Sequence, residues 1–213
     1  MPSNLVYELI LNLAEAGRYD QALSQFRNRF FQREEGGTNV RQVWIEVKLL
    51  KSIALAQQGK CPDAILTAEH LGDSVPEMAF THDGLDPLLQ SARITYLLGN
   101  VYKACHVADK ADESYRHAAE QSGIENGVWS WKASQELSPS GTGKHDLEGL
   151  LEKARSTSEF SSRTGWWFYN LAMLDRALGR QEKAETEFRE ALLYPDQLLT
   201  YHLTRAALAN EKP

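Results

Sequence analysis

The chain has 213 residues, 42% of them hydrophobic, which suits one large domain or a short repeat array. Its formal net charge is −6 and its basic residues are scattered, the densest cluster being Arg27, Arg29 and Arg33, so it lacks the basic stripe of a nucleic-acid surface. No apolar run reaches the roughly 18 residues of a membrane span, and two cysteines, Cys61 and Cys105, cannot build the dense disulfide framework of a small secreted domain.

The first residues carry no basic start, apolar block and small-residue cleavage site. A cytoplasmic location is therefore expected, an export signal being lost upstream if the chain is a C-terminal fragment. From Ser3, the residues Leu5, Val6, Leu9, Ile10, Leu11 and Leu13 predict a helix with more apolar residues than one buried stripe needs. Its outer face, Leu11 in particular, is expected to pack on an upstream domain or on a second copy of the chain. Gly17 ends this helix, and Tyr19, Ala22 and Phe26 follow. Gln32–Arg41 reads as an insertion containing the polar Glu34, Glu35, Gly36 and Gly37.

The next helix carries Val43, Val47, Leu50 and Ala54 at i, i+4, i+7 and i+11. Gly59 ends it, Pro62 sits where another helix starts, and Ala64 and Ala68 follow; Ala68 replaces an aromatic, so this hairpin should pack thinly. Glu77–Gln90 is a second insertion. A third unit, from Ala92, reads Leu98-Gly99-Asn100-Val101-Tyr102, then Ala111, Tyr115 and Ala118. Gly99 and Ala111 are expected to face each other where the helices approach, with Tyr102 and Tyr115 filling wider gaps. A fourth unit has Trp131, a flexible loop from Ser138 to Gly143, then Leu147, Leu151 and Ala154. The fifth, from Gly165, has Phe168, Ala172, Gly179, Ala184, Phe188, Ala191 and Pro195. The tail Asp196–Asn210 predicts one more helix, with Leu198, Leu199, His202, Leu203 and Ala206 on one face. No window alternates with period two, so no sheet is expected.

These spacings resemble the tetratricopeptide (TPR) repeat, whose signature is W-x2-L-G-x2-Y, then an Ala, an aromatic four residues on and a late Pro, with a 34-residue period. The units start near Ser3, Ile45, Ala92, Val128 and Gly165, about 42, 47, 36 and 37 residues apart, so the longer separations hold the insertions. The resemblance implies an all-α superhelix of about five hairpins over residues 1–213, capped by the tail helix, with helix content of roughly two-thirds or more, about twice the ordinary share. It also implies a non-catalytic module that binds a protein or peptide in its concave groove, with no cofactor and no metal. The groove positions so implied are Arg93, Tyr96, Asn100 and Lys103 from the third unit, Trp129 and Lys132 from the fourth, and Trp166, Tyr169, Met173 and Arg176 from the fifth. Aromatics and Arg make interface hot spots, and the cations favour an acidic or C-terminal carboxylate ligand. Asn100 and Lys103 sit as in the chaperone-binding members of the family, but Ala133 breaks that clamp in the next repeat, so chaperone-tail binding is not expected.

Other chemistries fail on spacing. Gly141-Thr142-Gly143-Lys144 lacks the first Gly and the final Ser/Thr of a phosphate-binding loop, Ser138 and His145 standing there. Cys105 and His106, adjacent on a predicted helix, point about 100° apart and make no nucleophile–base pair, so Cys105 is expected to be a buried, inert thiol. The histidines show no metal spacing. His82-Asp83 is the one histidine–carboxylate loop pair, read as a solvated turn, and an enzyme built around it is the third hypothesis. Phe30-Phe31-Gln32-Arg33-Glu34-Glu35-Gly36-Gly37, with the helix around Trp44, resembles the TPR tail of a family of large bacterial proteins that carry an upstream β-rich domain. That resemblance implies the second hypothesis, an accessory helical domain packed on an upstream catalytic, carbohydrate-active domain of the same chain.

Overall fold

The computed structural model describes residues 3–29, 31, 40–73, 86–138, 144–157 and 164–209. Among them 79% are helical and none is in a strand, so the chain is all-α as expected. No helix among the described residues is long and apolar enough to cross a membrane.

The turns set the architecture. The helices α1 (Ser3–Glu15), α3 (Val40–Gln57), α6 (Ala92–Ala104) and α10 (Gly165–Ala177) all stop in the same way. At the first, Gly17 N donates to Ala14 O and Arg18 N to Leu13 O, and the same two bonds recur at Gly59, His106 and Gly179. This Schellman pattern requires a left-handed residue after the cap. Gly17, Gly59 and Gly179 take it at φ +72°, +73° and +77°, while in the third turn His106 takes it at +60°. The chain then reverses into α2 (Tyr19–Ser24), α4 (Cys61–Glu69), α7 (Ala108–Ala119) and α11 (Gln181–Ala191). Five residues past each turn residue stand Ala22, Ala64, Ala111 and Ala184, all buried. Four further on, Phe26, Ala68, Tyr115 and Phe188 are buried too. Each fully buried Phe contributes about 1.5–3 kcal/mol.

A fourth hairpin joins α8 (Ile124–Leu137) to α9 (Lys144–Thr157), with Leu147 and Leu151 buried as expected. A one-turn helix, α5 (Asp86–Leu89), precedes α6. The long first helices of the hairpins neighbour one another in chain order, α1 on α3, α3 on α6, α6 on α8 and α8 on α10. The tail helix α12 (Leu198–Ala209) packs on α10 and α11 and also on α1, so the series closes on itself. Leu198 and Leu199 join the N-terminal core around Tyr7, Ile10 and Ile45, while Leu203, Ala207 and Leu208 join the C-terminal core around Leu171, Leu174 and Phe188.

Several expectations need correction. The helices that contain Ile45 and Val128, near which the second and fourth units were expected to start, span Val40–Gln57 and Ile124–Leu137. Gly99 faces the ring of Tyr115 rather than Ala111: a Cβ there would lie 2.6 Å from Tyr115 Cε1. Leu11 is buried, because α2, α3 and α12 pack on the N-terminal helix; its exposed large apolar residues are Leu5 and Leu9. Cys105 is not a free thiol. It caps α6, Cys61 opens α4, and the two form a disulfide with Cα atoms 5.3 Å apart. Neither Cys105 nor His106 lies within a helix. His82, Asp83, the Glu34–Glu35 pair and the loop from 139 to 143 lie outside the described residues.

Candidate functional site

The first turns of α6, α8 and α10 converge with α3 and α12 around a cavity of about 380 Å³. Helical spacing puts the lining residues there: Ile45 and Glu46 share one face of α3 with Gln42, Asn126 and Trp129 share one face of α8, and Leu199 and Leu203 share one face of α12. From α10 come Trp166, Tyr169 and Asn170, and from α6 Arg93 and Ile94. Apolar and aromatic side chains make up about half of the lining, and polar ones, Gln42, Ser91, Asn126, Asn170, Gln197 and Thr200 among them, make up the rest.

The strongest polar feature is a forked ion pair. Arg93 Nη1 and Nη2 donate to Glu46 Oε2 and Oε1 at 2.6 and 2.7 Å, and Glu46 is buried. Burial alone would lower the Arg93 pKa, but the charge and hydrogen bonds of Glu46 outweigh it and hold it above its ordinary value. A buried pair of this kind is weak evidence for stability, since desolvation offsets its attraction. The Trp129 ring has Arg93 6.0 Å from its centroid and Lys132 4.8 Å away, and Tyr96 packs on it at 5.8 Å. Tyr169 is buried, and burial pushes its phenol pKa up, partly countered by Arg93. Among the described residues its hydroxyl has no hydrogen-bond partner.

Of the ten expected groove residues, Arg93, Trp129, Trp166 and Tyr169 line this cavity. Trp166 stands at its rim, 42% exposed. The other six do not. Tyr96 is wedged between Tyr115 and Trp129. Asn100 Oδ1 accepts from the Tyr115 hydroxyl at 2.8 Å. Lys103 pairs with Glu136 at 2.5 Å beside a second cavity, which Tyr115 and Asp112 help to line. Burial and then the nearby Arg176 lower the Lys132 pKa. Arg176 donates to Ala207 O at 3.3 Å and lies over the Phe188 ring at 4.3 Å. Met173, expected to face the groove, is buried, because α10 has neighbours on both sides and is covered from Tyr169 to Asp175. Tyr169 is covered for the same reason, its cavity wall aside.

Sequence reasoning missed Glu46, Asn170 and the whole contribution of α12. A carboxylate between Ile45 and Val47, inside an apolar stretch, was the available signal for Glu46. Nothing local marked α12 as a wall. It is held there by His202, which bonds Glu15 through Nδ1 and has Nε2 3.6 Å from Glu8, and by Arg205, 3.5 Å from Glu15. Comparison with family models, with curated proteins and with solved structures finds no match for the chain.

Proposed function

We propose that this chain is a TPR-like array of helical hairpins acting as a non-catalytic module, which holds a peptide or protein surface on the inner side of the array. The observation that carries this reading is the cavity among the first helices, where two tryptophans, a buried tyrosine and a guanidinium meet an apolar wall. Large aromatic and Arg side chains around a desolvated pocket are what interface hot spots are made of. The fourfold recurrence of turn, buried alanine and buried second position supports the repeat half of the reading.

The test is selection from a random peptide display library on the full chain, followed by calorimetry of the enriched peptides. Trp166→Ala, at the half-exposed rim, should weaken their binding about tenfold or more with an unchanged circular dichroism spectrum. If no peptide is enriched, or if enriched peptides bind Trp166→Ala and Trp129→Ala as tightly as the parent, the reading is wrong.

A further inference from the structure

We propose that the cavity takes a neutral, ring-bearing side chain, tryptophan or tyrosine, from a partner segment that is not acidic. This inference rests on the reading above and supplies its partner chemistry.

The case starts from charge. An acidic ligand was expected because the groove positions include Arg93, Lys103, Lys132 and Arg176. In the folded chain Arg93 is spent on Glu46 and Lys103 on Glu136. Arg176 is bonded to Ala207 O, and Lys132 rests on Trp129, outside the cavity wall. Of the charged residues that line the cavity, Arg93 and Glu46 cancel, and the exposed Glu125 at the start of α8 leaves one negative charge. The converging helix starts do not reverse this. Free N–H groups at a helix start would attract an anion, but Ala92 N already donates to Asn126 Oδ1 at 3.0 Å, Trp166 N to Gln197 Oε1 at 2.8 Å and Trp167 N to Thr164 Oγ1 at 3.3 Å.

Size and lining then select among neutral occupants. At about 380 Å³ the cavity lies near the lower end of ligand pockets, which run from about 300 to 1,000 Å³. That is room for one large side chain and not for a folded element. Ile45, Ile94, Leu199 and Leu203 offer an apolar bed, and Trp129 and Trp166 offer ring partners for offset or edge contacts. Tyr169 leaves a hydroxyl for the occupant's polar edge to engage. An indole N–H or a phenol O–H satisfies both demands with one side chain; an aliphatic anchor would leave the hydroxyl unmet, and a carboxylate would meet the negative charge that Glu125 leaves uncancelled.

Nuclear magnetic resonance titration of the full chain with four probes tests this: the N-acetyl amides of tryptophan, tyrosine, phenylalanine and glutamate. The tryptophan and tyrosine probes should saturate and shift the indole signals of Trp129 and Trp166, at concentrations at least tenfold below any glutamate response. Tyr169→Phe should weaken the tyrosine probe several-fold and leave the phenylalanine probe unchanged, a split that a general loss of packing would not produce. Leu199→Trp, which fills the cavity from α12, should abolish both responses. Equal or tighter binding of the glutamate probe overturns the proposal, as do shifts confined to residues away from the cavity. The display selection separates this failure from that of the interaction reading. Enriched peptides that need Trp166 but carry acidic residues and no ring would sink the inference alone. Ring amides that bind while no peptide is enriched would overturn it by making the cavity a small-molecule site.

Discussion

Replacing Glu187 with glutamine should abolish a fall in stability that the parent chain shows as pH rises from about 5 to 8. Arg155 of α9 donates through one nitrogen to two carboxylates, Asp175 Oδ2 of α10 at 2.5 Å and Glu187 Oε1 of α11 at 2.6 Å. Asp175 is fully buried and Glu187 keeps 15% of its side-chain surface. Of these two carboxylates Arg180 pairs with Asp175 alone, at 3.6 Å, and it pairs with Glu148 besides. Burial, with the Asp175 charge, pushes the Glu187 carboxyl up from 4.5 to about 7, and Arg155 offsets part of this. A folded-state pKa above the unfolded one means that the folded chain holds the proton more tightly. The stabilisation is complete below the unfolded value and is lost as pH rises through about 7. The displacement corresponds to roughly 3 kcal/mol, which residual solvent access reduces to about 2 kcal/mol, or a melting-temperature drop of about 4–8 °C for a chain of this size. Glu187→Gln keeps the neutral hydrogen-bonding group and should flatten the profile, so that the variant overtakes the parent at pH 8. Thermal melts at half-unit intervals, in a fixed ionic strength, measure this. A parent profile that is flat or rising, or a Glu187→Gln profile with the parent's slope, would refute the reasoning.

Two further substitutions probe the scaffold. His106→Gly removes a side chain from a left-handed position at φ +60° that glycine fills in the three sister turns, and should stabilise by about 1 kcal/mol; a denaturant midpoint that does not rise, at unchanged slope, counts against the strain. Cys61→Ser with Cys105→Ser, or reduction of the parent by a dithiol, should cost about 3–4 kcal/mol, because the bond closes a loop with a sequence separation of 44. Its signature is a melting temperature lower by about 6–16 °C, and identical melts with and without reductant would show that the bond contributes nothing.

The features that were legible in the sequence are those fixed within one hairpin. Gly17, Gly59 and Gly179 close helices because a left-handed residue is needed there, and the alanine five positions on is buried because the returning helix starts from that turn. His106 escaped notice because a non-glycine in the same conformation leaves no compositional trace. The partition of α10 failed for a different reason. Counting outward positions by helical spacing assumes one covered face, whereas α8 and α9 on one side and α11 and α12 on the other bury it almost throughout. The disulfide needed the third dimension, since Cys61 and Cys105 meet only when the second and third hairpins stack. In the same second hairpin Ala68 stands at the position that Phe26, Tyr115 and Phe188 fill elsewhere, forgoing part of the about 1.5–3 kcal/mol that a buried aromatic contributes.

The tail helix decides what kind of binding the inner side can support. It packs on both α10 and α1, and its Leu199 and Leu203 line the cavity. Its residues belong to both cores, Leu198 and Leu199 to one and Leu203 to the other, so lifting it away would expose apolar surface at each end of the chain. On the proposed reading the helix is part of the wall of the binding site, and a partner would have to fit the space that remains. One aromatic anchor buries about 150–250 Å², about 4–6 kcal/mol before the costs of association. A micromolar complex requires about 8 kcal/mol. The cavity can thus select a side chain but cannot by itself hold a partner firmly, and the balance must come from the rim. Trp166, 42% exposed, is apolar surface available there. Binding built this way is anchored at one point and modest in strength, which suits an assembly that forms and separates more than a permanent one.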